Sequence, residues 1–571
     1  MKKTLIGLLA VIIAVALAAC GSGSGTGVGG GAGAGGGAGA QTSLTDEPQK
    51  GGTVHFLMNA DFSYLDPARG FDGGVNNFYR LIYRTLTTAA PGNAEDPSTM
   101  VPDLATDLGQ VSDDGLTWTF TLQDGLKFDD GTPITSAEVK FGISRNWDPQ
   151  IGIGSPYAKQ VIDAPKGYEG PYKSGDLKTI ETPDEKTIVF HLKEPFPDFP
   201  AVVGQPNMVP FPEGSGEGDE FIKSVIASGP YKLESYQPGS QIKLVRNENW
   251  SADTDKVRTA MPDAWEFTIG LDPATIDERL LAGQGEDANA LGGAVQPATV
   301  ARLQQPTVQD RIFTPQGVCT TYVGLNTTKK PLNQLEVRQA INHAINKKTV
   351  QNASGGTQLA TVQNSILPPS VAGHRDFDLY PYDPEKAKSL LAEAGYPDGF
   401  TMTMDIRTQE KMQAQAAAIQ QDLKKVGITV KLNPIDVSTY YETIGTTSKQ
   451  HDAAITGWCP DWASSASTFI PPLFYGPNIT DKGNSNLAQI DDPEINKAIE
   501  TTMQITDPEE ANQAWGETDE LVMSKAPIVP LLVEVGLTVV GENVTGLWAN
   551  PGAATGGIDF VLVGLRDPAE G

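Results

Sequence analysis

The sequence predicts an α/β protein of two or three domains. Three observations carry this. The chain after residue 50 runs for about 520 residues, more than one hydrophobic core serves. Short apolar runs at period two mark half-buried strands in its first half, TWTFTL (117–122) and TIVFHL (187–192). Further on, amphipathic helices alternate with strands, as α/β lobes require.

The elements follow in order. Lys2 and Lys3 precede an apolar run from Leu5 to Ala19, the charged start and short hydrophobic body of a secretory signal. The run is shorter than the roughly twenty residues of a membrane span. It ends in Leu17-Ala18-Ala19-Cys20, which resembles a bacterial lipobox, and that resemblance implies cleavage before Cys20 and a lipid on its sulfur. Residues 1–19 are therefore expected as a signal peptide. Residues 20–50, GSGSGTGVGGGAGAGGGAGA and its continuation, are expected as a lipidated Gly-rich tether, because almost no large side chain is present to build a core. Gly25, Gly27 and Gly30 match G-x-G-x-x-G, but no strand precedes them and no helix pattern follows, so the match carries no dinucleotide site.

In the strand-rich part, Trp118, Phe120 and Leu122 share one face, as do Ile188, Phe190 and Leu192. Asp-Gly pairs at 114–115, 124–125 and 130–131 read as tight turns. In GLKFDDGTPITSAEVKF (125–141), Thr135 and Glu138 have capping-box spacing at the start of a helix. In LEVRQAINHAINKKTV, Val337, Ala340, Ile341, Ala344 and Ile345 form an apolar stripe, and Asn333 with Glu336 is the expected cap. Asp383 and Pro384 open a helix whose stripe is Ala387, Leu390, Leu391 and Ala394 and which Gly395 and Pro397 stop. A helix over Gln413–Val426 ends at Gly427, and Ile428, Val430 and Leu432 continue as a strand.

The formal net charge of −28 opposes nucleic acid and anionic membrane surfaces. No G-x-S-x-G, H-E-x-x-H or P-loop is present, so no enzyme is expected. His55, His191, His343, His374 and His451 are scattered without metal-ligand spacing, and neither metal nor cofactor is expected. With Cys20 lipidated, Cys319 and Cys459 remain. In an oxidising compartment they are expected to form one disulfide; two separate buried thiols are the alternative.

GWCPDW (457–462) concentrates scarce residue types, for only eight Trp and three Cys occur in 571 residues. Packed core, metal site and pocket wall are all open for it on composition alone.

GLKFDDGTPITSAEVKF resembles the signature of the family 5 extracellular solute-binding proteins, the peptide- and nickel-binding components of ABC importers. SYLDPA (63–68), PDLATDL (102–108), SGPYKL with VRNENW (228–233, 245–250), VRQAINHAI (337–345), YDPEKAKSLLAEAGYPDGF (382–400) and GWCPD (457–461) agree in order, so the resemblance runs from about residue 50 to the C-terminus. Asn346-Lys347, where Asp-Arg is common, and Ser228, where Thr is frequent, depart from it.

The resemblance implies a two-lobed periplasmic-binding-protein-like fold, with hinge-connected lobes and an additional domain on the first. Carried over, lobe I uses 50–96, 225–315 and 530–571, the additional domain 97–224 and lobe II 316–529. Hinge closure around a ligand then presents one surface to the importer. In peptide-binding relatives an aspartate of this stretch accepts the ligand's α-amine and a tryptophan three residues earlier lines the pocket, which implies Asp461 and Trp458 here. A desolvated carboxylate needs a cation, and an aromatic face beside the cation adds attraction. Trp462 is read as packing. Arg407 is the expected partner for a ligand carboxylate, and Phe62 and Tyr64 the aromatic contacts from lobe I. Cys459 bonded to Cys319 would brace the pocket loop. A bland alternative stands beside each: turn residue for Asp461, core packing for Trp458, Phe62 and Tyr64, solvated loop for Arg407. The function implied is a surface-anchored, monomeric receptor delivering short peptides to a permease; a nickel chelate, an oligosaccharide or another small solute is the alternative ligand.

Overall fold

The computed structural model describes residues 42–569, apart from 71–72, 97–98, 151–153, 217–220, 222–224, 316, 438, 463–464, 506 and 551–556. The expected signal peptide, Cys20 and most of the expected tether lie outside the described residues. Among those described, no helix is long and apolar enough to cross a membrane.

The protein has the two-lobed α/β architecture of periplasmic binding proteins. Lobe I is built on a five-stranded sheet in the spatial order Ala290–Gly292, Thr53–Leu57, Ala264–Thr268, Gln241–Arg246, Tyr231–Gln237. The first three strands are parallel and the last two antiparallel. Alternation puts Trp265 and Phe267 on the buried face, where Phe78 of the helix Gly73–Ile82 meets Phe267 edge-on with ring centroids 5.2 Å apart.

Lobe II is built on six strands in the order Ala360–Val362, Ile528–Glu534, Thr320–Leu325, Ala453–Trp458, Thr401–Arg407, Thr429–Ile435. Thr320–Leu325 is buried along its whole length between two antiparallel partners. The strand Ile528–Glu534 spans the expected 529/530 lobe boundary and lies entirely in this sheet. At the other end, Leu44, inside the expected tether, is buried in the lobe I core. The helices Leu335–Ala344, Pro384–Glu393 and Glu410–Lys425 cover the sheet and supply Val337, Ile341, Leu391 and Ile419 to its core.

A third sheet, all antiparallel, orders Gln110–Val111, Thr117–Thr121, Thr187–His191 and Ile180–Glu181. Its aromatic core holds Trp118, Phe120, Phe190 and Phe199. The Thr135–Glu138 capping box forms at the helix Ser136–Ser144, with both reciprocal bonds present. Gly115 and Gly131 sit at φ 72° and 89°, the left-handed region that Asp-Gly turns require.

Asp383 caps the helix starting at Pro384 through the amides of Glu385 and Lys386. Asp272, Asp492 and Asp507 do the same, each followed by Pro at the first turn. The expected Asn333 cap is corrected: the helix begins at Leu335 after Gln334, with no side-chain cap, and Asn333 stands one residue too early, inside the preceding turn where its N–H donates to the Lys329 carbonyl.

The two connections between lobes run side by side. Ile312–Phe313, leaving lobe I, pairs antiparallel with Thr538–Val539, returning to it. Two short paired strands thus form the narrow connection between the lobes, the place expected of a hinge.

The additional domain is pinned to lobe I by buried charge. Arg145 forks onto Asp66 with Nη2–Oδ2 at 2.5 Å, and both side chains are almost fully buried. Beside it, Arg84 and Arg258 share Asp103 and Asp255 at 2.7–3.6 Å.

Candidate functional site

The site is built where lobe II meets the additional domain. The strand Ala453–Trp458 pairs Trp458 with Thr320, so Cys459 and Cys319 lie side by side just beyond that pair. The structure joins them as a disulfide, Cα–Cα 4.2 Å. Pro460 and the disulfide then turn Asp461 and Trp462 out of the sheet.

Trp462 is 4 % exposed and enters the aromatic core of the additional domain. Its indole N–H donates to Asp198 Oδ2 at 3.4 Å. Asp461 stays part-buried. Its Oδ2 accepts the Tyr157 hydroxyl, and its backbone carbonyl accepts Gln205 Nε2 at 2.9 Å; both donors belong to the additional domain. Sequence reading missed Tyr157 and Gln205, since neither stands in a motif.

Asp461 and Trp462 line a small cavity of about 50 Å³, with Asn76 and Arg80 of lobe I opposite. Such a volume holds a few waters or one small polar group. Arg80 is committed to Asp559 at 3.4 Å, and Arg258, also on the wall, to Asp103 and Asp255. Among the described residues Asp461 has no ion-pair partner. Desolvation accordingly pushes its carboxyl up to about 7, against the opposing pull of the Tyr157 hydrogen bond. The carboxylate is held in shape, without a cation among the described residues.

A larger cavity of about 610 Å³ opens between the lobes near the hinge. Lobe I lines it with Phe56–Ser63 and Gly292–Ala294, lobe II with Cys319, Gln409 and Glu534. Phe62 faces it while packing on Phe78 at 4.8 Å. Asp61 fixes that loop by accepting from the Tyr236 hydroxyl at 2.9 Å and the Gly239 amide at 2.7 Å. Glu534 pairs with Lys411 and accepts from Gln415 at 2.8 Å. The volume falls within the roughly 300–1,000 Å³ of small-molecule sites.

The structure thus brings Asp461 into the smaller cavity and Phe62 into the larger. Trp458, Arg407 and Tyr64 line neither. Trp458 packs against the Phe469–Leu473 region of lobe II, and its indole N–H donates to the Thr468 carbonyl at 2.6 Å. Arg407 stacks over Tyr440 and Tyr441, 5.4 and 5.3 Å from the ring centroids, and makes no ion pair among the described residues. Tyr64 lies under Arg69, 4.2 Å away, and its carbonyl accepts the Tyr79 hydroxyl at 2.7 Å. Among the described residues no group of three or more His, Cys, Asp or Glu is placed to hold a metal ion.

Comparison with known proteins agrees with this fold. Residues 99–481 match the family described as bacterial extracellular solute-binding proteins, family 5. The chain belongs to that family. The glutathione-binding protein GsiB of Salmonella paratyphi A is 28 % identical over 511 residues, 87 % of this chain and 92 % of that one. Among solved structures, clavulanic acid biosynthesis oligopeptide binding protein 2 is 33 % identical with a TM-score of 0.84, covering 92 % of this chain and 98 % of its own. DppA from Helicobacter pylori, solved with the peptide STSA, is 25 % identical with a TM-score of 0.76, over 91 % of this solute-binding protein and 99 % of its own length.

Proposed function

We propose that this solute-binding protein captures short peptides by their free amine and delivers them to the permease of an ABC importer. The observation that carries the reading is Asp461: a desolvated carboxylate, oriented by hydrogen bonds and without a cation, on a wall between two lobes that a hinge connects. A ligand ammonium supplies the missing charge, and the carboxylate has been placed at a cost that only binding offsets. The names of the relatives support the ligand class, since one binds glutathione, one oligopeptides, and one was solved with a peptide.

In this reading Phe62 offers an aromatic wall to the body of the ligand, and Arg407, stacked and without a carboxylate partner among the described residues, takes the ligand carboxylate when the lobes close. Trp458 and Tyr64 brace the loops that carry the contacts. The lobes follow the divisions 50–96, 225–315 and 530–571, 97–224, and 316–529, with the strand Ile528–Glu534 assigned to lobe II. The protein acts as a monomer, extracytoplasmic and held to the membrane by a lipid on Cys20, and it binds rather than transforms its ligand. A glutathione-like solute, with a γ-glutamyl amine, is the second reading, favoured by the GsiB relatives.

The test is to purify the mature protein from its own host without refolding, denature it, and identify what it releases by mass spectrometry. A family of short peptides with varied side chains supports the first reading, glutathione the second, and a sugar or chelate overturns the Asp461 assignment. The mass of the N-terminal fragment reports the lipid on Cys20.

A further inference from the structure

The family resemblance gives Asp461 to lobe II, yet the groups that hold it come from the additional domain. Tyr157 is 5 % exposed, and its ring meets Trp462 edge-on with centroids 4.8 Å apart, so the phenol cannot swing away from the carboxylate. Gln205 fixes the Asp461 backbone from the same side at 2.9 Å. Oδ2 is occupied by the Tyr157 hydroxyl, and Oδ1 has no hydrogen-bond partner among the described residues.

We propose that Tyr157 is a positioning residue of the amine site: by occupying Oδ2 it leaves Asp461 a single free oxygen, and so selects a primary ammonium over a guanidinium. This rests on the reading of Asp461 given above. A guanidinium gains most from two parallel bonds to both oxygens of a carboxylate, and here the Tyr157 hydroxyl already takes one acceptor site on Oδ2, which weakens that fork. An ammonium bonds well to one oxygen and turns its remaining N–H groups to other acceptors.

The other charged groups around the carboxylate leave this role to Tyr157. From lobe I, Arg80 is paired with Asp559, and Arg258 with Asp103 and Asp255. From the additional domain, Asp198 receives the Trp462 N–H and the hydroxyls of Ser465 and Ser467. Lys159 follows on the Tyr157 helix, with its ammonium lowered by burial. The hydroxyl is the one hydrogen bond that opposes desolvation at Asp461, so its loss drives the carboxyl higher.

Tyr157→Phe keeps the ring against Trp462 and removes only the donor. Two measurements test it, each in the wild type, Tyr157→Phe and Asp461→Asn. The first follows the Asp461 carboxyl band by infrared difference spectroscopy against pH in the ligand-free protein, with Asp461→Asn as the blank. The expected result is a midpoint raised by about one pH unit in Tyr157→Phe, a tenfold change in acid constant. The second measures capture of a synthetic pool of di- to tetrapeptides with free amines, and of the same pool with its N-terminal amines converted to guanidines.

The wild type is expected to prefer the free pool by about tenfold, and Tyr157→Phe to lose most of that preference. An unchanged midpoint together with an unchanged preference overturns the role of Tyr157 while the amine reading stands. If Asp461→Asn captures the free pool as well as the wild type does, or the wild type captures neither pool, the amine reading falls. The selectivity proposal falls with it, and the infrared midpoint then reports only whether Tyr157 holds the Asp461 carboxylate.

Discussion

Trp462, at the end of a lobe II loop, sits edge-on against Tyr157 of the additional domain, ring centroids 4.8 Å apart, inside the core that Trp118, Phe120, Phe190 and Phe199 share. Lobe II is therefore keyed into the domain carried by lobe I, and opening the cleft must draw a large indole out of an apolar site. Trp462→Ala is expected to destabilise this arrangement by about 3–5 kcal/mol, the cost of deleting a buried aromatic and leaving its cavity. It is also expected to expand the ligand-free protein. Calorimetry reads the first effect and small-angle scattering the second; an unchanged scattering profile with a lowered Tm would leave Trp462 a packing residue without a role in closure.

Capture of an amine is expected to depend on pH through Asp461. Its carboxyl lies at about 7, above the ordinary value for aspartate, and only the charged form attracts an ammonium. Below this midpoint a proton must leave for each ligand bound, so affinity rises about tenfold per pH unit toward 7 and levels off above it. In folding the sign is opposite: a raised carboxyl stabilises the folded chain while protonated, and that contribution is lost as pH climbs from about 4 to 7. Asp461→Asn is expected to abolish the affinity slope. Calorimetric titration of a captured peptide at pH 5, 6, 7 and 8 checks it, and a flat wild-type profile would rule out the carboxylate as anchor.

The Cys319–Cys459 bond closes a chain segment of sequence separation 140. Removing it by Cys319→Ser with Cys459→Ser is expected to cost about 2–5 kcal/mol, chiefly through the unfolded chain. The strand pairing of Thr320 with Trp458 that brings the cysteines together is expected to persist without it. Melting with and without reductant gives the shift, and a reductant-insensitive Tm would show the bond to be thermodynamically idle.

Asp66 and Arg145 are both buried, and each other's charge is the chief offset to the loss of water, beside the Ala68 amide on Asp66 and the Tyr172 hydroxyl on Arg145. Asp66→Asn leaves the guanidinium uncompensated and is expected to cost about 3–5 kcal/mol. Replacing both, Asp66→Asn with Arg145→Met, is expected to recover a large part of that loss. Chemical denaturation of the single and double variants closes the cycle; a double variant as unstable as Asp66→Asn would remove the charge argument.

Much of the secondary structure was legible because its causes are local. The capping box at Thr135 and Glu138, the Asp383–Pro384 helix start and the alternation in TWTFTL each act within a few residues. Asn333 shows the limit of such reading. It has the right residue type and spacing for a cap, but it stands one residue too early, inside the preceding turn.

The candidate site divides along the same line. The order of motifs from SYLDPA to GWCPD was enough to point to the family, and the resemblance in turn implied Asp461, three residues after Trp458. What surrounds Asp461 was not readable: its hydroxyl partner lies 304 positions earlier, in a different domain and in no motif. Arg407 and Phe62 look equally suited to a pocket by residue type, yet only Phe62 faces the interlobe cavity.

By itself, then, the sequence determined which segments form helices and strands, that the body divides into more than one core, and which carboxylate to suspect. The tertiary structure alone decided that this carboxylate has no cation among the described residues, that the additional domain holds it, and that Trp462 packs into that domain's core. Caps and amphipathic periods arise from neighbours along the chain, whereas desolvation and charge balance are sums over neighbours in space, and those exist only once distant segments have packed.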